Sequence, residues 1–371
     1  MKTLTFLLVA LLASLISARG VSSSAVRGVT VYSPPSSYKV PRTLYARTLL
    51  LSKQNATGDV LLATWENYSE EPPYFPIYRS TDLGNTWSEL SRVKDTVNGW
   101  GLRYQPFLYE LPVPFGGFPA GTLLLAGSSI PEDLSITQID LYASTNKGAN
   151  WTFVSHVARG GEAIPNNGET PVWEPFIMMW QDRLIVYYSD QRDPRYGQKM
   201  DHQSTRDLRR WDPPVDDIAV PAYNERPGMP TIAALPNGCY IMTYEAGNAS
   251  PVSFAVYYRI ASDPTKFLSA PVQKLRTTDG TVPVGSPYVV WTPAGGPNGT
   301  IVVTSGGASD VYLNRRLGAT SAWIRRRTSA PASYTRSLLV MPKKQDILIV
   351  GGGVLNGENN TVNANTVNVA A

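Results

Sequence analysis

A strand signal introduced by Gly or Asp recurs six times along the chain, and this period constrains the fold more than any other feature of the sequence. The runs open at Gly58, Gly121, Asp182, Gly238, Gly299 and Asp346, and continue as stretches such as Leu123-Leu124-Leu125-Ala126 and Ile301-Val302-Val303-Thr304. Successive starts lie 47 to 63 residues apart. A short apolar run alone fits either a strand or a buried helix, but the turn residue before each run and the β-branched content favour strand. Six units of about 60 residues, each with room for three or four strands, predict an all-β chain folded as a six-bladed β-propeller. Closing such a ring requires a strand from one terminus to complete the blade of the other. Residues 26–32 are expected to be the outer strand of a blade built from residues 334–370. A two-sheet sandwich is the alternative, but it gives no reason for the period.

A second repeat runs in phase with the first. Ser80-Thr81-Asp82-Leu83-Gly84-Asn85-Thr86-Trp87 recurs as Ser144-Thr145-Asn146-Lys147-Gly148-Ala149-Asn150-Trp151, and between Ser204 and Trp211 only the ends are kept. In such a turn Asp or Asn accepts backbone N–H bonds, Gly takes a positive φ, and Trp plugs the turn against the sheet. The pattern resembles the Asp-box of sialidase-type propellers, here degenerate, and reads as a folding device rather than a catalytic one.

Composition narrows the function classes. The 371 residues include 30 Gly and 30 Pro with only 17% charged side chains, which suits an all-β domain. A net charge of +4 with scattered basic residues makes nucleic acid an unlikely partner. Residues 1–18, one Lys followed by an apolar run, read as a secretory signal peptide, leaving residues 19–371 as a single catalytic domain. Six Asn-x-Ser/Thr sequons, at Asn55, Asn67, Asn150, Asn248, Asn298 and Asn359, agree with an extracellular location. No later stretch reaches the roughly 20 apolar residues of a membrane span. A monomer is the default expectation. With one Cys and two His in the chain, a zinc site or a Ser-His-Asp triad has little to draw on, and no cofactor is expected.

Before each of the six strands lies another whose first residue forms a slot at the mouth of the expected central channel. The slots read Arg47-Thr48, Gln105-Pro106, Glu174-Pro175, Met229-Pro230, Ser286-Pro287 and Arg336-Ser337. Their occupants differ while the apolar residues after them do not, as expected when function is laid over a repeating scaffold. Glu174, between Trp173 and Pro175, is the one acid in the set. A buried carboxylate costs several kcal/mol unless it is paired or has a chemical task. Glu245 ends the second strand of the next blade, as Glu66 ends that of blade one and Asp190 that of blade three. Two carboxylates on adjacent blades suggest a glycosidase pair, the bland alternative being strand-end acids paired with arginines. Trp100, Tyr104, Trp173, Tyr188, Tyr244 and Tyr334 are candidate sugar platforms. With them Arg47, Gln105, Asp190 and Arg336 are expected to contact substrate.

At these residues the chain resembles glycoside hydrolase family 93, the secreted exo-α-1,5-L-arabinanases, which share the sialidase propeller. The specific pieces are Thr170-Pro171-Val172-Trp173-Glu174-Pro175-Phe176 and Thr243-Tyr244-Glu245-Ala246-Gly247-Asn248, and the likeness spans the whole mature chain. The resemblance implies release of arabinobiose from the end of linear arabinan with retention, Glu174 as acid/base and Glu245 as nucleophile. It also implies carboxylates roughly 5–5.5 Å apart. An exo mode needs a pocket closed at one end, and the insertions 93–102 and 191–201 are expected to wall it. Two other readings stay open. A sialidase would use Arg47, Arg336 and Arg226 around a Tyr334 nucleophile, but blade one lacks the Arg-Ile-Pro start. A non-catalytic sugar-binding propeller would repeat its binding residues in every blade, which this chain does not.

Overall fold

The computed structural model describes residues 25–53 and 59–370; the signal segment 1–18 and the sequon at Asn55 fall outside them. Six four-stranded antiparallel sheets follow one another along the chain. Blades one to five occupy residues 43–93, 102–160, 172–218, 226–274 and 288–326. Blade six joins residues 337–368 to the N-terminal strand Val29–Tyr32, which pairs antiparallel with Val362–Asn368 on the outer edge. The ring is thus closed by both ends of the chain, as the repeat requires.

Each blade is covered by a neighbour on both faces, so its middle strands bury most of their side chains instead of alternating. All seven residues of Leu61–Asn67 and all eight of Thr137–Ser144 are buried. That is why the repeat shows in the sequence as continuous apolar runs. Each Leu or Val so buried stabilises the fold by about 1.5–3 kcal/mol. At the closure Tyr32 stacks on the buried Trp65 of blade one at 5.1 Å between centroids, fixing the outer strand of blade six against its neighbour.

The Asp-box turns behave as expected. Asp82 Oδ1 accepts the Thr86 amide at 2.9 Å, the Gly84 amide donates to Ser80 Oγ at 2.8 Å, and Trp87 Nε1 donates to the Gly84 carbonyl at 3.0 Å. The turn after blade three's third strand keeps more of the device than its sequence suggests. It starts at Thr205, one residue later than Ser204, with Asp207 Oδ1 accepting the amides of Arg209 and Arg210 at 2.9 and 2.8 Å.

A residue in the left-handed region lies near the start of the innermost strand in blades one to four, and two residues before it in blades five and six: Tyr45, Gln105, Glu174, Met229, Ser286 and Thr335, with φ between 40° and 63°. In the first four blades the ladder skips around this residue, pairing resuming at Arg47, Phe107, Phe176 and Thr231. These are β-bulges, which re-aim side chains and cluster next to active sites. Each left-handed non-glycine residue costs roughly 1–2 kcal/mol, so six in register mark a device built into the ring. The expected slots match this left-handed residue in blades two to five. In blade one it is Tyr45, two before Arg47, and in blade six it is Thr335, one before Arg336.

Candidate active site

The bulge leaves an amide N–H unpaired within its own sheet, and in four blades that donor reaches a side chain of the preceding blade. Gln105 N–H bonds Glu66 Oε1 at 3.0 Å, Glu174 N–H bonds Gln105 Oε1 at 3.1 Å, and Met229 N–H bonds Glu174 Oε2 at 2.6 Å. Ser286 N–H donates to Glu245 Oε2. The acidic residues therefore sit where a neighbouring blade supplies a donor aimed at the axis. Ser189 Oγ adds a second bond to Glu174 Oε2 at 2.6 Å. The protein's donors to both Glu174 and Glu245 thus fall on Oε2, which leaves each Oε1 for whatever occupies the channel.

Glu174 and Glu245 line one cavity of about 460 Å³, together with Glu66, Tyr68, Tyr104, Gln105, Trp173, Gln198, Arg226, Phe254, Tyr334 and Leu355. Its size lies within the range of small-molecule sites. Between the two carboxylates stands Gly228, paired with Glu245 across the ladder. A Cβ there would lie 3.2 Å from Glu174 Oε2 and 2.7 Å from Gln198 Nε2. Gly228→Ala is expected to displace the Glu174 carboxyl by a few tenths of an ångström and to lower kcat by about tenfold, a part of the 10²-fold that a misplacement of about 1 Å can cost. Steady-state kinetics beside a thermal melt would check this, and an unchanged kcat would refute it.

Electrostatics favour the protonated forms. Burial pushes Glu245 up to about 8, with ionised Glu174 adding to the rise and the Ser286 amide opposing it. Burial also raises Glu174, against the bonds from Ser189 and Met229 and the charges of Arg226 and Arg47. Glu66 is pushed up to about 7 by burial, opposed by the Tyr68 hydroxyl and the Gln105 amide. Tyr334 is held well above the usual phenol range by burial and by all three carboxylates. Among the described residues no group of three or more His, Cys, Asp or Glu is placed to hold a metal ion.

Of the residues expected to contact substrate, Tyr104, Gln105, Trp173 and Tyr334 line the cavity with the two glutamates. The other six do not, Tyr244 among them, which is buried and stacks on Tyr257 at 5.8 Å between ring centroids. Tyr188 is fully buried, its hydroxyl donating to Gln203 at 2.8 Å, and Asp190 is paired with Arg192 at 2.6 Å. The reason is strand parity: Tyr188 and Asp190 point one way and Ser189, between them, points to Glu174. Arg336 is buried and binds the carbonyls of Ser309 and Asp310 in blade five at 2.8 and 2.6 Å. Arg47 is also buried, its guanidinium 3.9 Å from the Tyr45 ring centre and 5.0 Å from that of Tyr288, and its charge favours ionised Glu66 and Glu174. Trp100 stays in a loop pinned by Asp95, which accepts its amide at 3.0 Å. Loop 93–102 accordingly forms no part of the cavity wall, whereas 191–201 contributes Gln198.

Sequence reasoning passed over Glu66, Tyr68, Gln198, Phe254 and Leu355 as site residues, and gave Arg226 a role only in a sialidase scheme. Arg226 clamps the wall: its Nη1 donates to Asn167 Oδ1 at 2.7 Å, and its Nη2 donates to Gln191 Oε1 at 2.8 Å and Gln198 Oε1 at 2.9 Å. Gln191 Oε1 also accepts the Trp173 indole N–H at 3.1 Å. For Glu66 the signal was present. It pairs with Leu44, just before the bulge residue Tyr45, as Glu245 pairs with Gly228, just before Met229. Glu66 is thus blade one's counterpart of Glu245, three blades away across the ring.

Carboxylates of neighbouring blades meeting in a walled, aromatic-lined cavity on a propeller axis define a glycoside hydrolase-type site. The chain is 53% identical to the alpha-L-arabinanase of Penicillium chrysogenum solved with arabinobiose, at a TM-score of 0.90 over 93% of this chain and 99% of that one. It is 52% identical to the GH93 alpha-L-arabinofuranosidase of Fusarium graminearum in complex with arabinobiose, at the same TM-score over 93% and 98%. A sialidase of Streptococcus pneumoniae, at 9% identity and a TM-score of 0.60, over 92% of this chain and 71% of that one, shares the fold alone. A scan of family models and a search of curated proteins each gave no match. The chain belongs to glycoside hydrolase family 93.

Proposed function

We propose that this protein is a secreted, exo-acting, retaining hydrolase that cleaves α-1,5-linked L-arabinan from the chain end and releases arabinobiose, with Glu174 and Glu245 as its catalytic pair. The observation that carries the reading is the shared cavity: two carboxylates, each anchored through Oε2 by a neighbouring blade's amide, flank Gly228 with Oε1 unclaimed by the protein. The arabinobiose bound by both relatives supports the substrate class. In the first step Glu245 attacks the anomeric carbon while Glu174 gives its proton to the departing O5 of the next sugar. This forms a glycosyl ester on Glu245 and breaks the glycosidic bond. In the second step Glu174 takes a proton from water, whose oxygen displaces Glu245 at the same carbon and restores the configuration. Trp173 and Tyr104 offer flat apolar faces with polar tips to the sugar rings.

The test is the product profile from linear arabinan, beside a sialoside control. Arabinobiose from the first time points, released as the retained anomer, is expected. A ladder of long oligosaccharides, the inverted anomer, or release of sialic acid would each overturn the corresponding part of the reading.

A further inference from the structure

Glu66 is the third carboxylate of the cavity, and the two-step reaction gives it no task. It lies opposite Glu245 and is only 3% exposed, yet it lines the cavity. Its two oxygens are both fixed by the protein, Oε1 by the Gln105 amide at 3.0 Å and Oε2 by the Tyr68 hydroxyl at 2.9 Å. A carboxylate oxygen accepts two hydrogen bonds, so one acceptor site remains on each. With both oxygens held, this group is poorly placed to move onto a reacting carbon. It is well placed to accept hydroxyl hydrogens at a fixed position. The other groups on this side of the cavity are weaker acceptors: Tyr104 and Tyr334 present neutral phenols, Arg226 only donates, and Gln105 Oε1 is occupied by the Glu174 amide and Ser128 Oγ, while the open Oε1 atoms of Glu174 and Glu245 are committed to the reaction.

We propose that Glu66 is a specificity-determining residue that accepts hydrogen bonds from the free hydroxyls of the arabinose unit bound across the ring from Glu245, and so selects chains unsubstituted there. The inference rests on the arabinan reading and adds to it a residue and a rule of substrate choice. A branch or an O-methyl group on that hydroxyl removes the donor and leaves a buried carboxylate facing an ether, the kind of mismatch that polar sites reject strongly.

Calorimetric titration of arabinobiose into the wild-type protein, Glu66→Gln and Tyr68→Phe tests this without turnover. Glu66→Gln is expected to weaken binding at least tenfold, and Tyr68→Phe, which frees Oε2 to rotate, by about threefold. In kinetics on linear arabino-oligosaccharides the Glu66→Gln loss should fall mainly on KM. It should also shrink the wild-type preference for linear over O-methylated substrates. Equal arabinobiose affinity in wild type and Glu66→Gln overturns the inference alone. A loss confined to kcat does so too, because it would mean that Glu66 acts only by positioning Gln105 and, through it, Glu174. No binding of arabinobiose to the wild type would instead overturn the arabinan reading beneath it.

Discussion

Glu174→Ala and Glu245→Ala are each expected to lower kcat/KM on linear arabinan by at least ~10³-fold while leaving the propeller folded. The magnitude follows from what each removes. General acid catalysis contributes about 10²–10⁴-fold, and loss of the nucleophile blocks the covalent route altogether. The fold should survive because each side chain anchors one neighbouring amide, of Met229 or of Ser286, at a cavity that water can enter. The two variants should differ with substrates of different leaving group. A good leaving group needs no proton, so Glu174→Ala should recover much of its first-step rate on an aryl arabinoside, and Glu245→Ala should not. Hydrolysis persisting in both variants on arabinan would refute the pair. The reverse recovery pattern would exchange their roles.

The second large effect is in pH dependence. On the proposed mechanism the active form needs one proton on the pair, placed on Glu174 when substrate is bound. Because the groups interact, the limiting values belong to the pair. With Glu245 pushed up to about 8, the pair keeps that proton to mildly alkaline pH, so kcat/KM should fall as pH rises through about 8. The same shift sets the sign of a stability effect. Glu245 takes up its proton more readily folded than unfolded, so between about pH 4.5 and 8 the folded state holds a proton that the unfolded chain has shed. Stability from this group is therefore fully present below about 4.5 and is lost as pH rises to 8. Glu245→Gln, which cannot ionise and can still accept the Ser286 amide, should match the wild type near pH 4 and exceed it at pH 8. The margin should be on the order of a few kcal/mol, at about 1.4 kcal/mol per pH unit as an upper bound. Melts across that range would show a difference that widens with pH; a constant difference would refute the linkage.

How much of this was legible in the sequence depended on what each element leaves in the pattern. The blades were readable because burial on both faces turns the middle strands into unbroken apolar runs. The slot was readable in blades two to five because a proline follows the bulge residue, as in Gln105-Pro106 and Glu174-Pro175. Blades one and six have Tyr45-Ala46 and Thr335-Arg336 there, and without the proline the alignment slid onto Arg47 and Arg336. Tyr188 and Asp190 were taken for site residues because a strand end was located correctly but its parity was not, and a one-residue step inverts the face. Phe254 and Leu355 come from loops, where no period marks which side chain turns to the axis. Glu174 itself read as the residue at the entrance of its strand; it lies inside Val172–Trp180, on the bulge.

The bulges also bear on how such a ring acquires new chemistry. In four blades the bond that ties a bulge to the preceding blade is donated by a backbone amide, and an amide is present whatever the side chain, proline excepted. The occupants of these positions already span a carboxylate, an amide, a thioether and a hydroxyl. Exchanging one occupant for another leaves its own donor in place, so Ser286, which lines a cavity beside Glu245, is a port at which an engineer or natural drift can install a new functional group without rebuilding a blade, and Met229, packed against Leu44 and Tyr45, is one at which the apolar support can be retuned. Glu174 and Gln105 are less free, because their side chains also receive the next blade's amide. The evolvable half of the rim therefore lies where the side chain receives no such bond.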